Sequence, residues 1–185
     1  MSDPAEASIM NVVPMSPRSS HRPDDEFAEL FAATYPQVVR TVWFVIHDRA
    51  AAEEIAQDAF TELFRDWPRL RNFDRPELWA RRVAIRKAQR EASRRTRRVA
   101  LEQAAASPPV VEDGVRLPDP ELIAAIRGLP AKQRAIVVLF YLEDRPMEEV
   151  ADLVGCSTST GFVHLHHARR RLAATLGEEV DSNVD

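Results

Sequence analysis

The chain has 185 residues, with 25 Lys and Arg against 29 Asp and Glu and a formal net charge of −4. No apolar run approaches the ~20 residues that a membrane-spanning helix needs, which speaks against membrane insertion. The single cysteine, Cys156, excludes an internal disulfide and fits a reducing cytoplasm.

Charge is unevenly placed. Residues 1–64 carry 4 basic and 11 acidic side chains, residues 65–98 carry 13 and 4, and residues 99–185 carry 8 and 14, so the net charges are −7, +9 and −6. A polycationic segment between acidic ones points to a polyanionic partner at one place and other contacts elsewhere.

Residues 1–25 hold Pro4, Pro14, Pro17, Pro23 and several serines, without a basic stretch leading into an apolar one. A flexible tail is expected there, not a secretion signal. The first helix places Phe27, Leu30, Phe31, Tyr35, Val38, Val39, Val42, Trp43 and Ile46 at helical spacing, with Pro36 expected to kink it. After a break at His47, Asp48 is placed to cap a second helix. That helix is expected to bury Ala52, Ile55, Ala56, Ala59, Phe60, Leu63, Phe64 and Trp67, leaving Glu54, Gln57, Asp58, Thr61, Glu62 and Arg65 outside. Pro76 suits the first turn of a third helix, where its missing N–H costs nothing. This helix runs through Trp79 and Val83 into the arginine-rich end at residue 98. Helices joined by such short loops pack as an antiparallel bundle.

From 99 to 119, Pro108, Pro109, Gly114 and Pro118 with Glu112, Asp113 and Asp119 argue for a flexible acidic linker. A second helical domain is expected over 120–177, followed by a short tail, 178–185. Within it, Leu129–Arg171 reads as two apolar-periodic helices, a short break and a basic final helix, the shape of a helix-turn-helix DNA reader. The first helix of the pair begins near Met147, with Val150, Ala151, Leu153 and Val154 on one face. Gly155 supplies the left-handed angle of the turn, Cys156 packs beside it, and Ser157 or Thr158 caps the next helix. Phe162, Leu165, Ala168, Leu172 and Leu176 are expected to face inward. Ser159, Thr160, Val163, His164, His167, Arg170 and Arg171 are expected to face outward, short polar groups for base edges and arginines for phosphates. A helical hairpin with a solvated basic end is the competing reading of this segment alone.

Three blocks in order make the pattern specific: AAEEIAQDAFTELFRDW (51–67), FDRPELWARRVA (73–84) and LPAKQRAIVVLFYLEDRPMEEVADLVGCS (129–157). With them the chain resembles the extracytoplasmic-function sigma factors of the sigma-70 family. The resemblance implies an all-α protein of two small domains, a three-to-four-helix bundle over 26–98 (region 2) and a helix-turn-helix domain over 120–177 (region 4). It implies core RNA polymerase, promoter DNA and a cognate anti-sigma factor as partners, and a role in promoter recognition and melting. Gln57, Asp58 and Glu62 resemble the surface that docks on polymerase. Asn72, Phe73 and Asp74 resemble the pocket for an unstacked base of the −10 element. Trp79 and the cations Arg81, Arg82, Arg86, Arg90, Arg94 and Arg95 lie beside it, as single-strand capture requires. Ser157, Thr158, Ser159, Thr160, Val163, His164, His167, Arg170 and Arg171 fall where the family binds duplex −35 DNA.

The departures are as informative. The family often has Asn where Arg86 stands and an acidic residue near Arg90. In the recognition helix its common Gly-Thr-Val-Lys-Ser-Arg is replaced by Ser159-Thr160-Gly161-Phe162-Val163-His164. Gly161 weakens a helix interior by ~1 kcal/mol, and Phe162 is expected to fill the gap. His164, His166 and His167 have no cysteine or carboxylate at ligand spacing, and structural zinc usually closes with four ligands, so neither metal nor cofactor is expected. A partly protonated imidazole cluster facing DNA is expected instead. No Gly-rich phosphate loop or catalytic constellation is visible, so an enzyme is not expected. The alternative is a helix-turn-helix regulator that acts on duplex DNA without being a polymerase subunit.

Overall fold

The computed structural model describes residues 23–102 and 119–177, and every regular element among them is helical. The predicted C-terminal tail, residues 1–22 of the predicted N-terminal tail and most of the predicted linker lie outside the described residues, while 23–25, expected in the tail, already belong to the first helix. Helix α1 spans Pro23–Ile46 and passes Pro36 without ending. Asp24, Asp25 and Glu26 in its first turn complement the helix dipole. It stops where His47 turns to φ 53°, and Asp48 then accepts from the Ala51 amide at 2.9 Å to open α2, Arg49–Arg65. Ala52, Ala56, Ala59, Phe60 and Leu63 are buried, and the three alanines let α1 approach closely. Phe64 corrects the expectation. It is 53% exposed, because it lies about 100° round the helix from Leu63, and its ring edge rests on Phe27 at 4.8 Å between centroids.

Pro68 lies in the first turn of a short α3, Trp67–Leu70, whose Trp67 and Leu70 are buried. Helix α4 opens at Pro76 as expected and continues to Glu102, four residues beyond the change in composition. Helices α1, α2 and α4 pack on one another and form the N-terminal bundle.

The C-terminal half starts at α5, Pro120–Arg127, where Asp119 accepts from the amides of Glu121 and Leu122. Helix α6, Ala131–Val137, relaxes into a π-helical stretch, Val138–Leu142. Helix α7, Met147–Val154, ends at Gly155 with φ 79°, and Ser157 accepts from the Thr160 amide at 3.2 Å to start α8, Thr158–Leu176. The predicted helix-turn-helix is therefore present with its turn glycine and its cap. Cys156 is half-buried against the core.

The inward face of α8 differs from the predicted one. Gly161, Leu165 and Ala168 are buried, whereas Phe162 is 51% exposed. Met147 explains the difference. A Cβ at residue 161 would lie 2.6 Å from its Sδ, so the thioether already occupies the space that Phe162 was expected to fill. The glycine lets α8 seat closely on α7 and turns Phe162 outward.

Both predicted helical domains are present, and in addition they are docked. Helices α6 and α7 pack on α4, and α6 also packs on α1.

Candidate nucleic-acid and polymerase interfaces

The seam between the halves is built from side chains of opposite charge. Arg81 on α4 is only 2% exposed, and its Nη1 donates to Glu143 Oε2 at 2.7 Å, while Nη2 donates to Gln37 Oε1 at 3.1 Å. Glu143 also accepts from Thr41 of α1 and from Arg145 Nε, the latter at 2.7 Å. Arg75 Nη1 reaches Glu149 at 2.7 Å, Arg82 pairs with Asp152, and Arg86 Nη2 approaches the Asp152 carbonyl at 3.4 Å. The carboxylates come from α7 and the loop before it. They meet the basic face of α4. Burial lowers the Arg81 pKa from its ordinary value, with Glu143 opposing the shift, but a guanidinium remains charged at neutral pH.

Arg134 fastens the other end. Its guanidinium donates to the Val45 carbonyl at the end of α1 and, at 2.7 and 2.8 Å, to the carbonyls of Arg127 and Leu129. Burial, then the charge of Arg127, lowers its pKa to about 10. His47 lies beside it, Nδ1 to Arg134 Nη1 being 3.5 Å. Burial first, then Arg134 and Arg127, push the His47 pKa down to about 3, so the ring is neutral in the docked molecule.

Gln57 and Asp58 are exposed on α2 and Glu62 is half-buried. The two carboxylates converge on Lys87 of α4, at 3.1 and 2.8 Å, which holds that face in place. Asn72, Phe73 and Asp74 stand exposed in the loop before α4, with Phe73 at 54%, while Trp79 packs half-buried against the core.

The six predicted −10 cations divide. Arg86, Arg90 and Arg94 are exposed and, with Gln89, Ser93 and Arg97, line an open cleft of about 600 Å³ that Gly155 closes at one side. Arg81 and Arg82 are engaged in the seam. Arg95 is held by Asp48 at 2.9 Å and Glu91 at 2.8 Å. Burial disfavours its charge, but these carboxylates outweigh burial and raise its pKa.

On α8, Ser159, Thr160, Val163, His167, Arg170 and Arg171 are exposed as expected, Thr158 is half-buried and Ser157 is the cap. His164 is a correction: it is half-buried, and burial, then Lys132 and His167, lower its pKa, so it is not a freely protonated group facing outward. The exposed imidazoles are those of His166 and His167. Among the described residues no three His, Cys, Asp or Glu side chains gather to hold a metal ion, and no helix is long and apolar enough to cross a membrane.

Sequence reading missed the partners that Glu143, Glu149, Asp152 and Arg134 find. Each is an unremarkable charge in the chain. A pairing across 62 to 102 residues leaves no local signal. Also missed was Arg169, whose Nε donates to the Tyr141 hydroxyl while its guanidinium lies 5.5 Å from that ring's centroid, bracing α8 against the π-helical stretch.

These features define an all-helical protein of two docked domains, one ending in an arginine-lined cleft and the other presenting a helix-turn-helix. The family descriptions of sigma-70 region 2 and sigma-70 region 4 match residues 30–98 and 120–172. The RNA polymerase sigma-E factor of Streptomyces coelicolor is 26% identical over 152 residues, which cover 82% of this chain and 86% of that protein. The RNA polymerase sigma factor CarQ of Myxococcus xanthus is 28% identical over 162 residues, 83% of this chain and 91% of its own. Among solved structures, the sigma factor RpoE in its complex with the anti-sigma factor NepR, from Bartonella quintana, superposes with a TM-score of 0.63 at 20% identity, covering 84% of this chain and 98% of that one. The chain belongs to the sigma-70 family, in the two-region form of the extracytoplasmic-function group.

Proposed function

We propose that this chain is a sigma factor that brings core RNA polymerase to a set of promoters and helps to open them. The observation that carries the proposal is the pairing, in one chain and in family order, of an arginine-rich α4 beside an exposed Asn72-Phe73-Asp74 loop with a recognition helix, α8, that carries no carboxylate. One surface suits single strands, the other duplex.

In this reading Gln57, Asp58 and Glu62 dock on polymerase, and the Lys87 pairs keep the two carboxylates oriented. Phe73, flanked by Asn72 and Asp74, offers a flat apolar surface to a flipped −10 base, with Trp79 stiffening the loop from below. Arg86, Arg90 and Arg94 track the backbone, and Arg81 and Arg82 join them once the seam opens; Arg95 serves mainly to tie α4 to Asp48. Ser159, Thr160 and Val163 face −35 base edges, with His167, Arg170 and Arg171 toward phosphates; Ser157 and Thr158 shape the helix start. The protein acts in the cytoplasm as a regulatory subunit without chemistry of its own, and the likeness to an anti-sigma-bound neighbour supports a similar inhibitor here.

Competition for core polymerase against another sigma factor tests the reading. Displacement at stoichiometric amounts supports it, and duplex binding without any affinity for core supports the alternative, a conventional helix-turn-helix regulator.

A further inference from the structure

Helix α8 carries three arginines and three histidines along Thr158–Leu176 and not one carboxylate. Its buried line is Gly161, Leu165 and Ala168. At about 100° per residue, Ser159, Val163, His166 and Arg170 fall on the opposite line, with Phe162 on its flank. Val163 is 54% and Phe162 51% exposed, side by side near the start of the helix. Met147 keeps Phe162 there, since the close seat of Gly161 on its thioether leaves no inward space.

An apolar pair amid cations and imidazoles calls for a partner that is anionic yet bears small apolar groups. The major groove of duplex DNA is such a surface. Phosphates border it, and on its floor the one projecting apolar group is the C5-methyl of thymine. Lys and Arg at these positions would instead seek guanine O6 and N7.

We propose that Val163 and Phe162 read thymine methyl groups in the −35 element, so that this protein selects thymine at those steps by apolar contact. The proposal rests on the sigma-factor reading and assigns the specificity of its region 4. Ser159 supplies an adjacent hydrogen-bonding group, and Arg170, two turns on from Val163, holds the register on phosphate. Both apolar side chains are free of the seam, so docking of the two halves leaves this reader accessible.

The test uses holoenzyme reconstituted from core polymerase and the full chain. Duplexes are first selected from a randomised library, and each thymine of the enriched −35 site is then replaced singly by deoxyuridine, which removes the methyl and keeps the base pair. At the two thymines under Val163 and Phe162, each replacement is expected to weaken binding roughly fourfold, the equivalent of about 0.8 kcal/mol for one buried methyl-sized group. Val163→Ala and Phe162→Ala should each abolish the uracil effect at one thymine while leaving the other responsive. Both side chains are exposed, so the helical signal and melting temperature should stay close to wild type. Sequence-selective binding that is indifferent to every uracil replacement, or an enriched site without thymine, overturns the proposal and leaves the sigma-factor reading standing. Failure of the chain to form holoenzyme at all overturns that reading and this assignment with it.

Discussion

Neutralising Glu143 should open the molecule without unfolding it. In the docked state its carboxylate accepts from Arg81 at 2.7 Å, from Arg145 at 2.7 Å and from Thr41, with the Arg81 and Glu143 side chains 2% and 9% exposed. Glu143→Gln keeps the shape and removes the charge, leaving two guanidiniums gathered around a neutral amide. Were Arg81 obliged to stay buried, the loss would be about 3–5 kcal/mol, the usual cost of stranding one member of a buried pair. It is not obliged to stay. Arg81 belongs to the α1–α2–α4 bundle and Glu143 to the α5–α8 domain, so separation returns the guanidinium to water, and the loss cannot exceed the free energy of docking itself. Small-angle scattering of the purified chain should show a larger radius of gyration, and binding to single-stranded DNA should strengthen as Arg81 and Arg82 are released. Far-ultraviolet circular dichroism should be unchanged. Asp144→Asn, one residue on and exposed, is the control and should do neither. Unchanged dimensions and unchanged DNA affinity in Glu143→Gln would refute the view that this pair holds the halves together.

Acid should open the same seam: His47 is neutral when docked, with a pKa of about 3, and returns toward 6.5 when opening restores water around the ring and removes Arg134 and Arg127. The docked form is therefore fully favoured above 6.5 and disfavoured as pH falls toward 3, by roughly tenfold at pH 5.5. Scattering across pH 7 to 5.5 checks this, and His47→Gln should flatten the response; a seam equally closed throughout would be contrary. Gly161→Ala should lower stability by about 1–2 kcal/mol, overpacking against Met147 outweighing the gain in helix propensity. In a Met147→Ala background denaturant melts should show the same change to be neutral or favourable, and equal effects in both backgrounds would mean that the thioether does not set the spacing. Asp58→Ala with Glu62→Ala should weaken competition for core polymerase while altering thermal stability little, since their partner Lys87 is itself partly exposed. Phe73→Ala should spare closed-complex formation and reduce permanganate reactivity of promoter thymines, and equal reactivity at matched occupancy would remove Phe73 from the base pocket.

Local rules carried the sequence reading a long way. Asp48, Pro76, Gly155 and Ser157 each act on the nearest turn of backbone, and each stands where its chemistry predicts. The alternation of buried alanines with Phe60 and Leu63 likewise follows from helical period alone. What local rules could not reach were choices made by a distant side chain. Phe162 and Gly161 both fit an inward arc, and Met147 decides between them. Phe64 and His164 sit at the margins of their arcs, where a rotation of less than one residue decides exposure. The seam lay furthest from view: a cationic α4 reads the same whether it waits for DNA or rests on Glu143 and Asp152. For that reason Arg81 resembled an exposed nucleic-acid contact and is, with Thr41, among the most buried polar side chains of the described residues.

Transcription from genomic fragments by purified core polymerase, with and without this chain, tests the central claim most directly. A sigma factor should give transcripts starting at defined positions only when the chain is present, and the upstream regions of those starts should share two spaced elements. Sequence-selective duplex binding that never yields a start site would contradict it.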